Sequence, residues 1–238
     1  MKTIIYKSET RGKADYGWLK PSYSFSFSGY YDPTRVHFGM LRVLNDDWVA
    51  PGAGFDTHPH DNMEIVTIPL SGALEHRDSM GSGGVIRPGE VQVMSAGTGI
   101  THSEFNHSKE EPLTLLQIWV FPNERNVKPR YDQGSYDLKQ TRNAFVAVVG
   151  PEKGNAPYWI HQDAWFSLGL FDASANVEYT LKNKDHGVYL FVIEGKVDAA
   201  GHLLEPRDAL GITETDSIPV KVLHEAYLLV IEVPMKQP

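Results

Sequence analysis

Short apolar runs rich in Val, Ile, Leu, Tyr and Trp recur along the whole chain, cut apart by Gly, Pro, Asn and Asp, and no segment sustains a helical period. Such a chain can bury its apolar side chains only as strands whose residues alternate between two faces, so it must fold as an all-β sandwich or barrel. The clear runs are Gly39 to Leu44, Glu64 to Leu70, Glu90 to Met94, Leu113 to Phe121 and Phe145 to Val149, then Val177 to Leu181, Val188 to Ile193, Ile218 to Val222 and Ala226 to Val233. Only Lys7 to Tyr16 and the region of Gln162 leave room for short helices.

A length of 238 residues allows one large or two small domains with a substantial core. The formal charge of -8, from 22 basic and 30 acidic residues, argues against direct binding to nucleic acid or to an anionic membrane. Without cysteine there are no disulfides, thiol nucleophiles or thiolate metal sites. The first ten residues lack the apolar core of a signal peptide, and no stretch is long and apolar enough to span a bilayer, so the expected location is the cytoplasm.

The chain carries an internal repeat. Ile68-Pro69-Leu70-Ser71-Gly72-Ala73-Leu74 is followed by Arg87-Pro88-Gly89-Glu90-Val91, and Phe191-Val192-Ile193-Glu194-Gly195-Lys196-Val197 by Glu205-Pro206-Arg207-Asp208-Ala209. Both read as strand, glycine turn, strand, proline turn, strand. Two packed β-barrels are therefore expected, residues 1–135 and 136–238, with the boundary in the polar stretch between Pro129 and Asn143.

Two histidine patterns lie in the first barrel, His58-Pro59-His60 and His102-Ser103-Glu104. Residues i and i+2 of a strand point to one face, so each pair can aim at a single point. Together they offer three imidazoles and a carboxylate, a donor set that suits iron, nickel, manganese, copper or zinc and leaves positions open for chemistry. Glu64, four residues after His60, is a rival carboxylate, but a straight strand would carry it about 13 Å past His60. Counting the same offsets in the second repeat lands on Leu181, Asn183, Val220 and Val222, so only the first half is expected to hold metal.

Gly52 to Gly72 and Gly89 to Asn106 resemble the two cupin motifs. The segments Gly17-Trp18-Leu19, Ser24-Phe25-Ser26-Phe27, Tyr31-Asp32-Pro33, Leu41 to Asp47, Thr57 to His60, Met94 to Ile100 and His102 to Glu104 resemble, in order, the pirin family of bicupins. The resemblance implies two jelly-roll barrels, with His58, His60, His102 and Glu104 around a non-haem Fe(II). It also implies quercetin 2,3-dioxygenase activity, in which a small aromatic flavonol and dioxygen are the substrates and Glu104 is the catalytic base. Eukaryotic pirins imply an alternative, a metal- and redox-sensing regulator that binds a protein partner. A cupin acting on a sugar phosphate or small acid is disfavoured, because no Lys/Arg cluster stands beside the histidines.

Other residues read as structural. His37, His76 and His107 match no ligand position and are expected at the surface or behind the ligands; His161, His186, His202 and His224 carry less signal still. Trp18, Phe25, Phe27, Tyr30 and Tyr31 are expected in core or sheet packing, and Asp32, Asp46 and Asp47 in turns or caps. Gly81-Ser82-Gly83-Gly84 lacks the Lys-Ser/Thr of a phosphate loop and reads as a connection between strands.

Overall fold

The apolar runs become antiparallel strands whose side chains alternate in burial. In Ile100–Asn106, for example, Ile100, His102, Glu104 and Asn106 are buried while the residues between them are not. The computed structural model describes residues 1–236. Strands β1 to β12 are Lys2–Tyr6, Gly12–Lys13, Leu19–Tyr23, Leu41–Val49, Gly54–His60, Glu64–Ser71, Leu74–Asp78, Gly83–Ile86, Glu90–Ser95, Ile100–Asn106, Leu113–Val120 and Arg130–Ser135. Strands β13 to β20 are Val146–Pro151, Tyr158–Ile160, Trp165–Phe171, Asn176–Thr180, His186–Ala199, His202–Leu204, Ala209–Thr213 and Ser217–Pro234.

The first half builds two sheets, a seven-stranded one in the order β12-β9-β6-β11-β4-β3-β2 and a four-stranded one in the order β5-β10-β7-β8. Leu19, Val49, Leu113 and Leu115 of the larger sheet pack on Leu74 and Ile86 of the smaller. The eight strands of the second half form one sheet, and β1 makes it nine-stranded by pairing with β19. Between the halves lies a shared core: Phe25, Leu44, Ile68 and Ile118 cluster with Phe166, Tyr189, Leu229 and Ile231. Tyr189 is its hub, with ring centroids 5.3 Å from Tyr6, 5.4 Å from Phe25 and 5.7 Å from Phe38.

The repeat is visible in the backbone. Gly72 and Gly195 both have positive φ, +75° and +91°. At Gly72 a Cβ would stand 2.7 Å from the Pro112 carbonyl oxygen, so glycine is required there for space as well as conformation. Gly72 separates β6 from β7, whereas Gly195 is absorbed within the long β17 by register shifts on either side of it.

Several expectations change. Ile218 to Val222 and Ala226 to Val233 are one strand, β20, because β17 pairs with it through those bulges along most of its length. The helical segments reduce to a 3-10 turn at Ser8–Thr10; around Gln162 there is none, and the Gln162 amide instead donates to the Phe121 carbonyl 2.7 Å away in the other half. Asp46 and Asp47 lie inside β4, where Asp46 meets Arg11 at 3.3 Å and Arg207 at 3.4 Å. Asp32 does cap a turn, accepting from the Thr34 amide and hydroxyl. Tyr31 is 75% exposed and takes no part in the core.

Phe25 joins the two halves from a loop rather than from a strand and is fully buried. Phe25→Ala should therefore lower stability by about 3–5 kcal/mol in urea unfolding, the usual cost of emptying a buried aromatic site.

Candidate metal centre

Strand β10 lies between β5 and β7, and its register sets the site. His102 stands opposite His58 on one side and opposite Asp78 on the other; Glu104 stands opposite His76. One ring nitrogen from each of His58, His60 and His102 falls within 4.8 Å of the others. The imidazole centroids are 4.4 to 4.8 Å apart. The three histidines of the two patterns thus meet at one point.

Glu104 enters from deeper in the fold. It groups with His102 and His76 within the same 4.8 Å, the β10–β5 pairing being broken by a bulge between His102 and Glu104. The Gln117 amide donates to its Oε2 at 2.8 Å, and Thr67 donates to Gln117 Oε1 at 2.8 Å, so one carboxylate oxygen is anchored. The other, Oε1, is buried without a partner, and so is His102 Nε2. Buried polar atoms left without a partner are costly. A divalent cation would satisfy both, so the residues present fit a metal. His58 is prepared in the same sense: its Nδ1 is 2.8 Å from the Asp56 carbonyl, which orients the ring and leaves Nε2 free.

Burial sets the electrostatics. Desolvation, with His58 nearby, pushes His60 down to about 4. Desolvation and the neighbouring imidazoles push His102 down further. Desolvation raises Glu104 to about 7 despite the hydrogen bond from Gln117. His60 and His102 therefore remain neutral ligands at ordinary pH, while Glu104 must give up a proton to bind a cation.

Glu64 follows a different route. The chain turns at Asn62, where φ is +46°, and β6 begins in the other sheet. Its Oε2 accepts from the Ser95 hydroxyl at 2.7 Å and from the His161 amide at 3.1 Å, tying the first half to the second. His76, read from the sequence only as a residue at the surface or behind the ligands, is wholly buried, stacked on Tyr131 at 4.4 Å and 3.3 Å from Asp78 Oδ2. The signal that could have found it is the same i, i+2 spacing, in His76-Arg77-Asp78. His107 is half-exposed beside Glu75, and His37 reaches the Gly39 carbonyl. Among the described residues, both groups of three or more closely spaced metal-capable side chains lie in the first half.

Aromatic side chains border the histidines. Trp119 meets His60 edge-on at 4.9 Å, Phe27 meets Trp119 at 5.1 Å, and Phe55 lies 6.2 Å from His58. A cleft of about 450 Å³ opens beside His60, bordered by Asp61, Ser79 and Thr101. A larger crevice of about 990 Å³ between the halves, lined by Leu70, Tyr136 and Tyr227, contains none of these residues.

The comparisons agree with this geometry. Residues 6–120 match the pirin family model, and residues 147–233 match the model of the quercetinase C-terminal cupin domain. The chain belongs to the pirin family. It is 38% identical over 234 residues to a quercetin 2,3-dioxygenase of Escherichia coli K12, covering 97% of this chain and 99% of that one. It is 37% identical to a pirin-like protein of Caulobacter vibrioides, covering 93% and 95%. Among solved structures, the pirin YhhW of Escherichia coli in complex with nickel(II) superposes with a TM-score of 0.92 at 35% identity, covering 98% of this chain and 99% of that one. A solved pirin with bound nickel(II) and the grouped histidines of this chain together support a divalent-metal site. No helix among the described residues is long and apolar enough to cross a membrane.

His58→Ala, His60→Ala, His102→Ala and Glu104→Ala should each weaken nickel(II) binding in calorimetric titration, while His186→Ala and His224→Ala should not; full occupancy in His60→Ala would contradict the assignment. The raised Glu104 carboxyl also predicts a pH dependence. Below about pH 7 it holds a proton that the metal must displace, so affinity should fall as pH drops from about 8 to about 6. Glu104→Gln has no proton to lose and should flatten that part of the curve.

Proposed function

We propose that the protein is a metal-dependent dioxygenase that opens the heterocycle of flavonols such as quercetin, with His58, His60, His102 and Glu104 holding a divalent transition metal, Fe(II) in this reading. One observation carries the proposal: a buried carboxyl with an unpartnered oxygen stands beside converging imidazoles, in a chain whose full-length relative at 38% identity is named a quercetin 2,3-dioxygenase. When bound, the ion would supply open coordination positions for a substrate oxygen and for dioxygen. Overall, flavonol and dioxygen give a ring-opened ester-acid and carbon monoxide.

The chain's own residues have three tasks. Glu104, buried beside His102, accepts the proton of the flavonol 3-hydroxyl. Gln117 holds Oε2, so the carboxyl keeps its orientation whether or not it carries the proton. Phe27, Phe55 and Trp119 supply apolar, flat surface near the histidines, which suits aromatic rings and keeps water away.

An aerobic quercetin assay on metal-loaded protein, with carbon monoxide measured, tests the reading. Glu104→Gln should retain some metal through its amide oxygen but lose about a hundredfold or more in turnover, because an amide cannot take the proton. Equal turnover at matched metal content would remove the base role. No turnover by metal-replete wild type would reject the enzyme and favour a redox-sensing regulator.

A further inference from the structure

Behind His102 lies a chain of side chains that the four-ligand reading does not use. Strand β7 carries His76 and Asp78 at i, i+2, both on its buried face. Asp78 Oδ1 accepts the backbone N–H groups of Met80 at 2.9 Å and Ser82 at 3.0 Å, so the carboxylate is clamped by the hairpin turn. Its Oδ2 lies 3.3 Å from His76 Nε2, and the Asp78 side chain has no solvent exposure. His76 Nδ1 lies 3.4 Å from His102 Nδ1. The far nitrogen, His102 Nε2, is the buried atom without a partner. Tyr131 stacks on His76 with 18° between the rings, and its hydroxyl donates to Gln133 at 2.6 Å, so the imidazole plane is held.

We propose that Asp78 and His76 are positioning residues that set the tautomer of His102 and present its Nε2 lone pair to the metal; this rests on the metal reading above. A carboxylate can only accept, so the His76 proton sits on Nε2. A neutral imidazole has one N–H, so His76 Nδ1 is a lone pair. Two lone pairs would repel across the His76–His102 contact, so His102 carries its proton on Nδ1. Its Nε2 is then the donor a metal needs, fixed before any metal arrives. Each link follows from the one before, and the register supplies the alignment, since His102 is paired with Asp78 and Glu104 with His76. Partners of this kind are usually worth about ten- to a hundredfold in metal affinity.

The test uses nickel(II) titrations of wild type, Asp78→Asn, His76→Phe and the double variant, with ¹⁵N imidazole spectra of the metal-free proteins. Asparagine keeps an oxygen for Met80 and Ser82 but turns an N–H toward His76. That reverses the chain: His76 takes its proton on Nδ1 and His102 on Nε2. Asp78→Asn should weaken nickel binding by about ten- to a hundredfold, and its spectra should show the exchanged tautomer. His76→Phe keeps the stacking on Tyr131 and cuts the relay, so adding Asp78→Asn to it should change affinity by less than about twofold. If Asp78 acted through its charge alone, it would cost as much without His76 as with it, and the proposal would fall. It would also fall if wild-type His102 carried its proton on Nε2, a result that needs only the wild type and so stands even if Asp78→Asn does not fold. Failure of the wild type to bind nickel would strike the metal reading alone, because the spectra report the tautomers without metal.

Discussion

The register of β10 against its two neighbours is the constraint on which the centre depends. A strand turns alternate residues to opposite faces, so a slip of one residue would send His102 and Glu104 outward together. The structure guards against that slip at the end of the strand. The Asn106 amide donates to the carbonyls of Val49, Ala50 and Glu111 at 3.2, 3.2 and 2.9 Å, and Thr101 accepts from the Ser79 amide at 2.9 Å. With β10 held, His58 and His60 arrive on one side and His76 and Asp78 on the other.

Burial then gives these side chains their chemistry. Imidazoles in a dry site keep their lone pairs, and a dry carboxyl holds its proton into the neutral range. The second half shows what the same architecture does without ligands. Val220 and Val222, at the offsets corresponding to His102 and Glu104, are buried in an apolar cluster with Leu190, Leu210 and Ile212. One half uses its interior for polar ligands, whose desolvation costs stability; the other fills its interior with close-packed aliphatic groups, which adds to it. The shared core around Tyr189 and Phe25 joins the two, so the packed half can support the half that carries the site.

Much of this was legible in the residues. The i, i+2 histidine pairs, the apolar runs and the paired glycines are local patterns, and the two-residue period of a strand converts them directly into faces and turns. His58, His60 and His102 therefore converge as their spacing implies. His76-Arg77-Asp78 has the same spacing, yet it carried no weight, because nothing local shows that β7 lies beside β10. Glu64 sits at a plausible ligand distance in sequence, but its partners are Ser95 in β9 and His161 in the other half.

The sequence by itself determined that the chain is all β, that it repeats, and that each of the two histidine patterns turns its two side chains to one face of a strand, because alternation and turn chemistry act within a few residues. The tertiary structure alone decided which strands lie side by side, that β1 crosses to the second sheet, that Glu104 approaches from the deep side beside Gln117, and that Asp78 and His76 stand behind His102. Those outcomes depend on contacts between residues far apart in the chain, where burial and packing are settled by the whole fold rather than by any local pattern.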